Sequence, residues 1–535
     1  MSSDASSSVG FRRLPTELVR IICHLIPNRD IKNLRLTYRF MGEKALPRLD
    51  RVFVSLSPRD IKVIRAVADH ETFRRGVVEI VWDDTALNYH DDRGDISDKN
   101  TGMNYLDDRG LPSYKYLRAT RTCQSLFRAR IATDTERPNV IAKAEKWKNR
   151  TFSASPTYEQ LLQEQEEALA TFADEDAFRY ALGRFPNLRK VTVTPAAHGC
   201  LFEPLYETPM IRAFPYGFVY PIPRGWPHYE YTNRKVAAKA CALDVKDNAL
   251  NQWRGFRIAT RVLANEKHHV YELDLGNNKL RTGINHHIFD KPNEQYDSLC
   301  SILERPEFRR LTLSVLPGYM CHGDTESDRN RNANLYRLLA KAPDMEHMAL
   351  QTGTYQGHPS QYWNTSLFSI FPIEKWSKLK HFGLSGWEVS QDDLISFLGK
   401  LPSTLESVEL SFLRFGYGKG NYAHFLRDIR EKLDWRSRPA HDRVRIRMLF
   451  EDGNRNFNQE FRYICLDSEV RDYVYGDGPS PLETNEAGTL CMCIEVGIGV
   501  QHDDLDPNYE RPYQRSKFSK RICDEIEWPY DEPQI

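Results

Sequence analysis

The amino-acid sequence lacks an excess of charge of either sign, and it lacks any long apolar run. Among its 535 residues, Lys and Arg number 74, as do Asp and Glu, so the formal net charge is +0. A protein that binds nucleic acid through its whole surface needs a basic excess, so this balance argues against nucleic acid as a partner. No apolar run approaches the length of a membrane span, and we expect no membrane contact. Residues 1–10 are rich in serine, which predicts a disordered tail rather than a signal peptide or an anchor.

The ten cysteines show no regular spacing, and no two of them form a Cys-x-x-Cys pair. This argues against a disulfide framework and, without a secretory signal, predicts reduced thiols in the cytoplasm or nucleus. Cys465, Cys491, Cys493 and His502 match no common zinc-ligand spacing. We therefore expect neither a metal nor a cofactor.

Catalytic motifs are also missing. The glycine-rich run at 416–420 lacks the Ser or Thr that follows the lysine of a phosphate-binding loop. Ser385 lies in a Gly-Leu-Ser-Gly run without the spacing of a nucleophile elbow. The histidine doublets at 268–269 and 286–287 would point to opposite sides of a strand. These observations predict that the chain is not an enzyme; a bound cofactor in the purified protein would favour the opposite hypothesis, an enzyme on an irregular α/β fold.

Residues 11–50 carry a distinct helical pattern. Leu14-Pro15 predicts a helix start, because Pro is favoured in the first turn, and Pro27 predicts its end. The apolar stripe of this first helix consists of Leu18, Ile21, Ile22 and Leu25. A second helix, capped by Asn28 or Asp30, would carry Ile31, Leu34 and Leu36, and a third would run from about Met41 to Leu49. Such short helices bury little alone, so the segment is either a small bundle or a module that needs a partner surface.

The order of these residues resembles the F-box of fungal proteins. The matching positions are Leu14, Pro15, Glu17, Leu18, Ile22, Leu25, Asp30, Leu34, Arg35, Leu36, Phe40, Ala45, Leu46 and Leu49. The resemblance implies docking on a Skp-type adaptor, which links the module to a cullin and a RING subunit. It places seven residues on or beside the docking face: Leu14, Pro15, Leu18, Ile21, Ile22, Leu25 and Leu34. Thr37–Phe40 departs from the family pattern, which affects the register of the third helix.

A strand-like unit of the form apolar-x-x-apolar-x-apolar recurs along the rest of the chain. It begins at Leu49, Val77, Leu188, Val270, Phe308, Met345, Leu379 and Leu405, and a last strand is predicted from Val444 to Phe450. The alternation is that of a short strand with one buried face. Helical stretches lie between the strands, at 333–341, 392–400 and 422–433, and a Pro stands just before several units.

The repeat resembles that of leucine-rich-repeat proteins, in which one strand per repeat lines a parallel sheet and helices back it. The best match has Asn278 where that family uses an Asn to bond the turning backbone. The predicted fold is therefore α/β: a helical F-box at 11–50, then an irregular leucine-rich-repeat-like solenoid at 51–450. A cap and tail would follow at 451–535. The alternative is a mixed α/β domain in which a few strands look alike.

Two insertions interrupt the repeats, at 85–187 and 195–269. The first, with Asp83 and Asp84 just before it, is interpreted as a polar loop followed by a helix from Tyr158 to Leu182. The second begins with an aromatic loop at 214–231 and continues as a long helix at about 233–265. The aromatic side chains are either a binding surface or, as we favour, packed on the repeats.

The sequence predicts a substrate-recognition subunit of a Skp-cullin-F-box ubiquitin ligase, monomeric within that complex. The alternative is an F-box and repeat scaffold that does not direct ubiquitination. Within each unit, the residues between the buried positions would face the target, an unknown protein. The candidate target-binding residues are Lys190, Thr192, Glu272, Asp274, Arg310, Thr312, His347, His381, Ser407 and Glu409.

Overall fold

A computed structural model describes most of the chain between residues 14 and 513. The described ranges are 14–87, 155–199, 203–215, 253–276, 282–316, 326–352, 366–416, 418–451, 462–482, 497–503 and 506–513, with positions 218, 220, 222–223, 225–226, 278 and 494. The expected tail at 1–10, most of the first insertion, the beginning of the long helix at 233–265, Cys491 and Cys493 lie outside these residues.

Three short helices form the N-terminal segment: α1 (Thr16–Leu25), α2 (Asn28–Thr37) and α3 (Arg39–Lys44). Pro15 and Pro27 stand just before α1 and α2, where their fixed φ suits a helix start. The helices share a small core of their own, formed by Val19, Cys23, Ile31, Met41 and Ala45. The predicted third helix, from about Met41 to Leu49, is wrong in its bounds, and no side chain caps α2.

The centre of the molecule is a large parallel sheet. Its strands are β1 (Arg51–Val54), β2 (Glu79–Asp83), β3 (Lys190–Thr194), β4 (Glu272–Leu275), β5 (Ile284–Asn285), β6 (Arg310–Leu316), β7 (His347–Thr352), β8 (His381–Ser385), β10 (Ser407–Ser411) and β12 (Arg445–Arg447). The strands lie side by side in chain order, except that β5 pairs with the end of β6. Two short strands, β9 (Glu388–Val389) and β11 (Arg414–Phe415), pair with each other beyond β8 and β10. All eight recurring units therefore form strands of one sheet.

The register aligns the middle apolar position of every unit in a single row. This row consists of Val52, Ile80, Val191, Leu273, Leu311, Met348, Phe382, Val408 and Ile446. Each of these side chains is buried in one continuous core. Because successive side chains of a strand point to opposite faces, the residues on either side of this row lie on the other face. That second face is called the polar face below.

Helices lie between the strands along the chain, and most of them pack against the apolar row. They are α4 (Pro58–Asp69), α5 (Ser155–Thr171), α6 (Ala173–Leu182), α7 (Pro209–Arg212), α8 (Arg254–Asn265), α9 (Glu294–Leu303), α10 (Glu326–Leu339), α11 (Gln391–Leu398), α12 (Tyr422–Lys432) and α13 (Asp467–Tyr475). The predicted helix from Tyr158 to Leu182 is in fact two helices, since Phe172 takes a left-handed φ of 53° between α5 and α6. The helices predicted at 392–400 and 422–433 correspond to α11 and α12, and that predicted at 333–341 is the end of α10.

The strand predicted from Val444 to Phe450 divides between two sheets. Residues up to Arg447 continue the parallel sheet as β12, and β13 (Leu449–Glu451) begins an antiparallel sheet with β14 (Arg462–Cys465), β15 (Val500–Asp503) and β16 (Asp506–Pro512). Met448 lies at the change of sheet, and its N–H donates to the Asp467 carboxylate instead of to a neighbouring strand. The described part of the C-terminal region is thus a small sheet of its own.

Most of the described aromatic residues of the second insertion are buried, and Tyr206 and Phe214 are half-buried. Phe218 and Tyr220 pack with Leu87 and with two residues of α5, Tyr158 and Leu162, in a separate cluster. Trp226 joins the main core. Trp226 therefore packs on the core of the repeats, as interpreted, whereas Phe218 and Tyr220 pack on residues of the first insertion.

Candidate protein-binding surfaces

The first helix leaves one apolar face uncovered among the described residues. Leu18, Ile21 and Leu25 are 44%, 55% and 80% exposed, whereas Val19 and Cys23 on the other side of α1 are buried. The exposed residues are spaced by three and four positions, so they form one stripe on the helix. Large aliphatic side chains at such spacing are typical of a helix that docks on another protein.

The other predicted adaptor-binding residues are placed differently. Leu14 and Leu34 pack against the small core of the N-terminal segment, Ile22 is half-buried and Pro15 is exposed. Leu36, predicted to lie on an inward stripe of α2, is instead 86% exposed. It therefore adds to the uncovered apolar surface of this segment.

A set of hydrogen bonds fixes the link between the N-terminal segment and β1. The Asn28 side chain donates to the Arg48 carbonyl and accepts from the Arg48 N–H, at 2.7 and 2.8 Å. The Arg48 guanidinium donates to the carbonyl oxygens of His24 and Ile26, and Arg35 donates to that of Ala45. Residues 45–48 are therefore attached to α1 and α2, so only residues 49 and 50 lie between this attachment and β1.

The polar face carries a row of charges of alternating sign along five neighbouring strands, namely β1, β2, β3, β4 and β6. Arg51 binds Glu79 at 2.6 Å, Lys190 lies 3.7 Å from Glu79 and 3.4 Å from Glu272, and Arg310 lies 3.2 Å from Glu272. Each charge therefore has an opposite charge on the neighbouring strand, which stabilises cross-strand pairs.

The pKa values of this row reflect the pairing. Burial alone would lower the pKa of Lys190, but the carboxylates of Asp274, Glu79 and Glu272 outweigh it and raise that pKa above its usual value. Burial would raise the pKa of Glu79, but hydrogen bonding by Thr192 and the charges of Arg51 and Lys190 hold it low. Lys190 and Glu79 are thus charged near neutral pH and paired with each other.

Next to the row of charges, on β7 and β8, the polar face carries two stacked histidines. The rings of His347 and His381 are 4.2 Å apart and nearly parallel, and His381 also lies 2.8 Å from the Ser407 hydroxyl. Burial, together with the neighbouring His381 and Arg310, lowers the pKa of His347 to about 3. Burial likewise lowers the pKa of His381. This part of the polar face is therefore uncharged at neutral pH.

The second insertion covers the beginning of the polar face. The Tyr206 ring lies 6.0 Å from that of Phe53, and the Arg51 guanidinium stands 5.3 Å from it. Burial raises the pKa of Tyr206 to about 12. Val81 and Thr192, the polar-face residues of β2 and β3, are buried. Thr192, a predicted target-binding residue, instead donates to Glu79 at 2.6 Å. The other predicted target-binding residues all lie on the polar face, half-buried.

Three buried aspartates hold the insertions over the carboxyl ends of β1 to β3. Asp60 accepts from Ser55 and from the Met210 N–H at 2.6 and 2.8 Å. Asp84 accepts from the Trp226 indole at 2.8 Å and from the N–H groups of Gly255 and Phe256, at the start of α8. The prediction that Asp83 and Asp84 lie in a polar loop is wrong: Asp83 ends β2, and both are buried.

Asp83, the third of these buried aspartates, lines a small cavity. The cavity has a volume of about 10 Å³, enough for about one water molecule, and Ser55, Thr85 and His198 also line it. Asp83 Oδ1 accepts from the Thr85 N–H, and Asp83 Oδ2 lies 3.5 Å from His198 Nε2. Burial, together with the charges of Asp60 and Asp84, raises the pKa of Asp83 to about 8.

The raised pKa of Asp83 predicts that stability falls with increasing pH. The folded chain keeps the Asp83 proton at pH values where the unfolded chain has lost it, so this stabilisation is fully present below about pH 4 and is lost as the pH approaches about 8. Asp83→Asn should remove this contribution. Between about pH 5 and 8.5 the melting temperature of the natural protein should fall, relative to that of the variant, by on the order of 1–3 °C. A constant difference across this pH range would contradict the assignment.

The described residues contain neither a candidate metal site nor a candidate membrane-spanning helix. No cluster of three or more His, Cys, Asp or Glu side chains there has the geometry to hold a metal ion. None of the described helices combines the length and the apolar character needed to cross a membrane. Comparison with family models gives no match, and comparison with curated protein sequences gives no significant relative.

Proposed function

We propose that the chain is a substrate-recognition subunit of a Skp-cullin-F-box ubiquitin ligase. In this proposal α1–α3 are the F-box, the parallel sheet with its helices is an irregular leucine-rich-repeat-like domain, and the polar face binds a protein target. The observation that carries the proposal is the exposed stripe Leu18, Ile21 and Leu25 on a helix whose other side is packed. The sequence resemblance to fungal F-boxes falls on the same helix.

The held connection at Arg48 supports this assignment. Ubiquitin transfer by such a ligase depends on proximity, because the complex places a target lysine near an enzyme carried elsewhere. A receptor that holds its adaptor-binding helices and its target-binding sheet in one orientation suits that task. The Asn28–Arg48 hydrogen bonds favour such a joint, because they leave only residues 49 and 50 between the N-terminal segment and β1.

Removing the exposed stripe should abolish adaptor binding without unfolding the chain. We expect the triple variant Leu18→Ala, Ile21→Ala, Leu25→Ala to bind a recombinant Skp-type adaptor on the order of 100-fold more weakly, because apolar anchors dominate such interfaces. Isothermal titration calorimetry with the purified full chain measures the affinity. Val63→Ala is the matched control, because Val63 is also an exposed aliphatic residue but lies on α4, outside the N-terminal segment.

Two outcomes of this experiment would decide against the proposal. If the natural chain does not bind the adaptor, the F-box assignment is wrong. If the triple variant binds as well as the natural chain, α1 is not the docking surface. Once adaptor binding is established, the half-life of captured proteins in cells with and without the triple substitution separates a ligase receptor from the alternative, a scaffold that does not direct ubiquitination.

A further inference from the structure

One segment of the second insertion, residues 203–213, lies across the beginning of the polar face and is called the strap below. Its Tyr206 ring lies 6.0 Å from the Phe53 ring on β1, and the Arg51 guanidinium stands 5.3 Å from it. Among the residues of the strap, all of which the structure describes, Met210 is the one buried apolar side chain. The strap therefore covers part of a candidate binding surface while little apolar burial of its own holds it there.

Polar contacts attach the strap to α4 and to the residues that follow β3. The Met210 N–H donates to the Asp60 carboxylate at 2.8 Å, and the Thr208 side chain hydrogen-bonds to the same carboxylate. The Tyr206 N–H donates to the Ala197 carbonyl at 3.1 Å. Since none of these contacts is made by a strand of the sheet, they can break without loss of strand pairing.

A buried cluster of titratable groups lies beneath the strap. Met210 lines the small cavity into which Asp83 faces, and Asp83 Oδ2 lies 3.5 Å from His198 Nε2. His198 Nδ1 is in turn 2.9 Å from the Tyr220 hydroxyl. The other charged or titratable groups around Asp83 are Asp60 of α4, Glu164 of α5, the adjacent Asp84, and Arg254 of α8, whose charge acts on Asp84. Because Met210 belongs to the strap, lifting the strap would open this cavity to water.

Opening the cavity would change the number of protons that this cluster holds. With the strap in place, burial raises the pKa of Asp83 to about 8, so Asp83 keeps its proton at pH 7. In water an aspartate has a pKa of about 3.9 and a histidine one of about 6.5, so neither Asp83 nor His198 would hold a proton well above pH 6.5. Between about pH 6.5 and 8 the covered state therefore binds more protons than the lifted state, and a rise in pH favours lifting.

We propose that the strap is a proton-linked cover of the polar face, which lifts when Asp83 loses its proton and so exposes the sheet beneath Tyr206. Arg51, Phe53 and Lys190 then become available to a partner, whereas at lower pH the strap occupies their place. The consequence for target capture rests on the proposed function, but the movement of the strap does not.

Alkylation of an introduced cysteine tests the proposal on the full chain. Met210→Cys places a thiol that iodoacetamide reaches only when the strap lifts, and Glu207→Cys places one at an exposed position of the same segment. The ratio of the two alkylation rates, measured by mass spectrometry of the modified peptides, removes the effect of pH on the thiol itself. We expect this ratio to rise about five- to ten-fold between pH 6.5 and 8.

Substitution of Asp83 identifies the group responsible. In the Asp83→Asn background the ratio should no longer rise with pH, because asparagine does not titrate. Asp50→Asn is the matched control, since Asp50 is an exposed aspartate just before β1, and the rise should remain. A ratio that is independent of pH in the natural background would overturn the proposal, as would a rise that persists in Asp83→Asn.

Hydrogen exchange of the unsubstituted chain gives the same information without depending on the folding of a variant. After correction for the intrinsic effect of pH on exchange, the amides of the strap should lose protection between pH 6.5 and 8, whereas those of β8 should keep it. An equal loss in both places would overturn the proposal, because it would mean that the whole chain opens.

The adaptor titration described above keeps the two proposals separate. A chain whose strap lifts with rising pH but that does not bind the adaptor retains the cover and loses the ligase assignment. A chain that binds the adaptor but whose strap does not respond to pH retains the proposed function and loses the cover.

Discussion

Replacing the buried Asp84 with alanine should lower the free energy of unfolding by about 3–5 kcal/mol. The Asp84 carboxylate accepts from the Trp226 indole and from two backbone N–H groups at the start of α8, and the Arg254 side chain adds a favourable charge. Alanine would leave three buried donors without an acceptor. Each such donor costs about 1–3 kcal/mol.

The loss of stability in Asp84→Ala should be largest around the second insertion, in addition to lowering the stability of the whole chain. Trp226 belongs to the second insertion, and α8 leads from that insertion to β4, so one carboxylate joins the insertion to the sheet. Hydrogen exchange should therefore speed up most at residues 254–265, and the melting temperature should fall. Asp84→Asn retains one acceptor, so its melting temperature should lie between those of the natural chain and of Asp84→Ala. Asp50→Ala is the control, because Asp50 is an exposed aspartate just before β1. Similar losses for Asp84→Ala and Asp50→Ala would show that the buried hydrogen bonds do not hold the insertion.

Asp84 also illustrates why the sequence did not predict this anchor. Its partners Trp226 and Gly255 are 142 and 171 residues away along the chain. The pair Asp83-Asp84 beside further aspartates has the composition of a solvent-exposed loop, and local pattern carries no information on distant donors. Burial of a carboxylate at the carboxyl end of a strand becomes evident only when the strands are assembled. The same holds for Tyr206, whose position over Arg51 depends on how the insertion folds back.

The strands, by contrast, could be predicted because their signal is local. In units such as Leu379-x-x-Phe382-x-Leu384, the buried positions lie within six residues, and the alternation by itself fixes which side chains face the core. The change of sheet at Met448 was not predicted. Residues 444–448 alternate, and the consecutive apolar residues Met448, Leu449 and Phe450 end the alternation without indicating how the chain pairs next. In the N-terminal segment the apolar stripes were predicted, but not which of their residues are exposed: on α2, Leu36 is exposed and Leu34 is packed.

Truncation of Phe382 should destabilise one part of the sheet more than the rest. Phe382 is fully buried on β8, and its ring lies 5.1 Å from the rings of both Phe371 and Phe397. Phe382→Ala should lower the free energy of unfolding by about 3–5 kcal/mol, because the cavity left among these rings cannot collapse completely. Phe382→Leu retains most of the volume and should cost less than about 1.5 kcal/mol.

The location of the loss follows from the strand order. Strands that lie side by side in chain order contact only their neighbours in the sheet, so the loss should spread from β8 to β7 and β10 before it reaches β1 and β2. Hydrogen exchange should accelerate strongly at residues 347–411 and little at 51–83. Under the proposed function, binding of a Skp-type adaptor at α1 should not change. An equal rise in exchange along the whole sheet would show instead that the sheet opens as one cooperative unit.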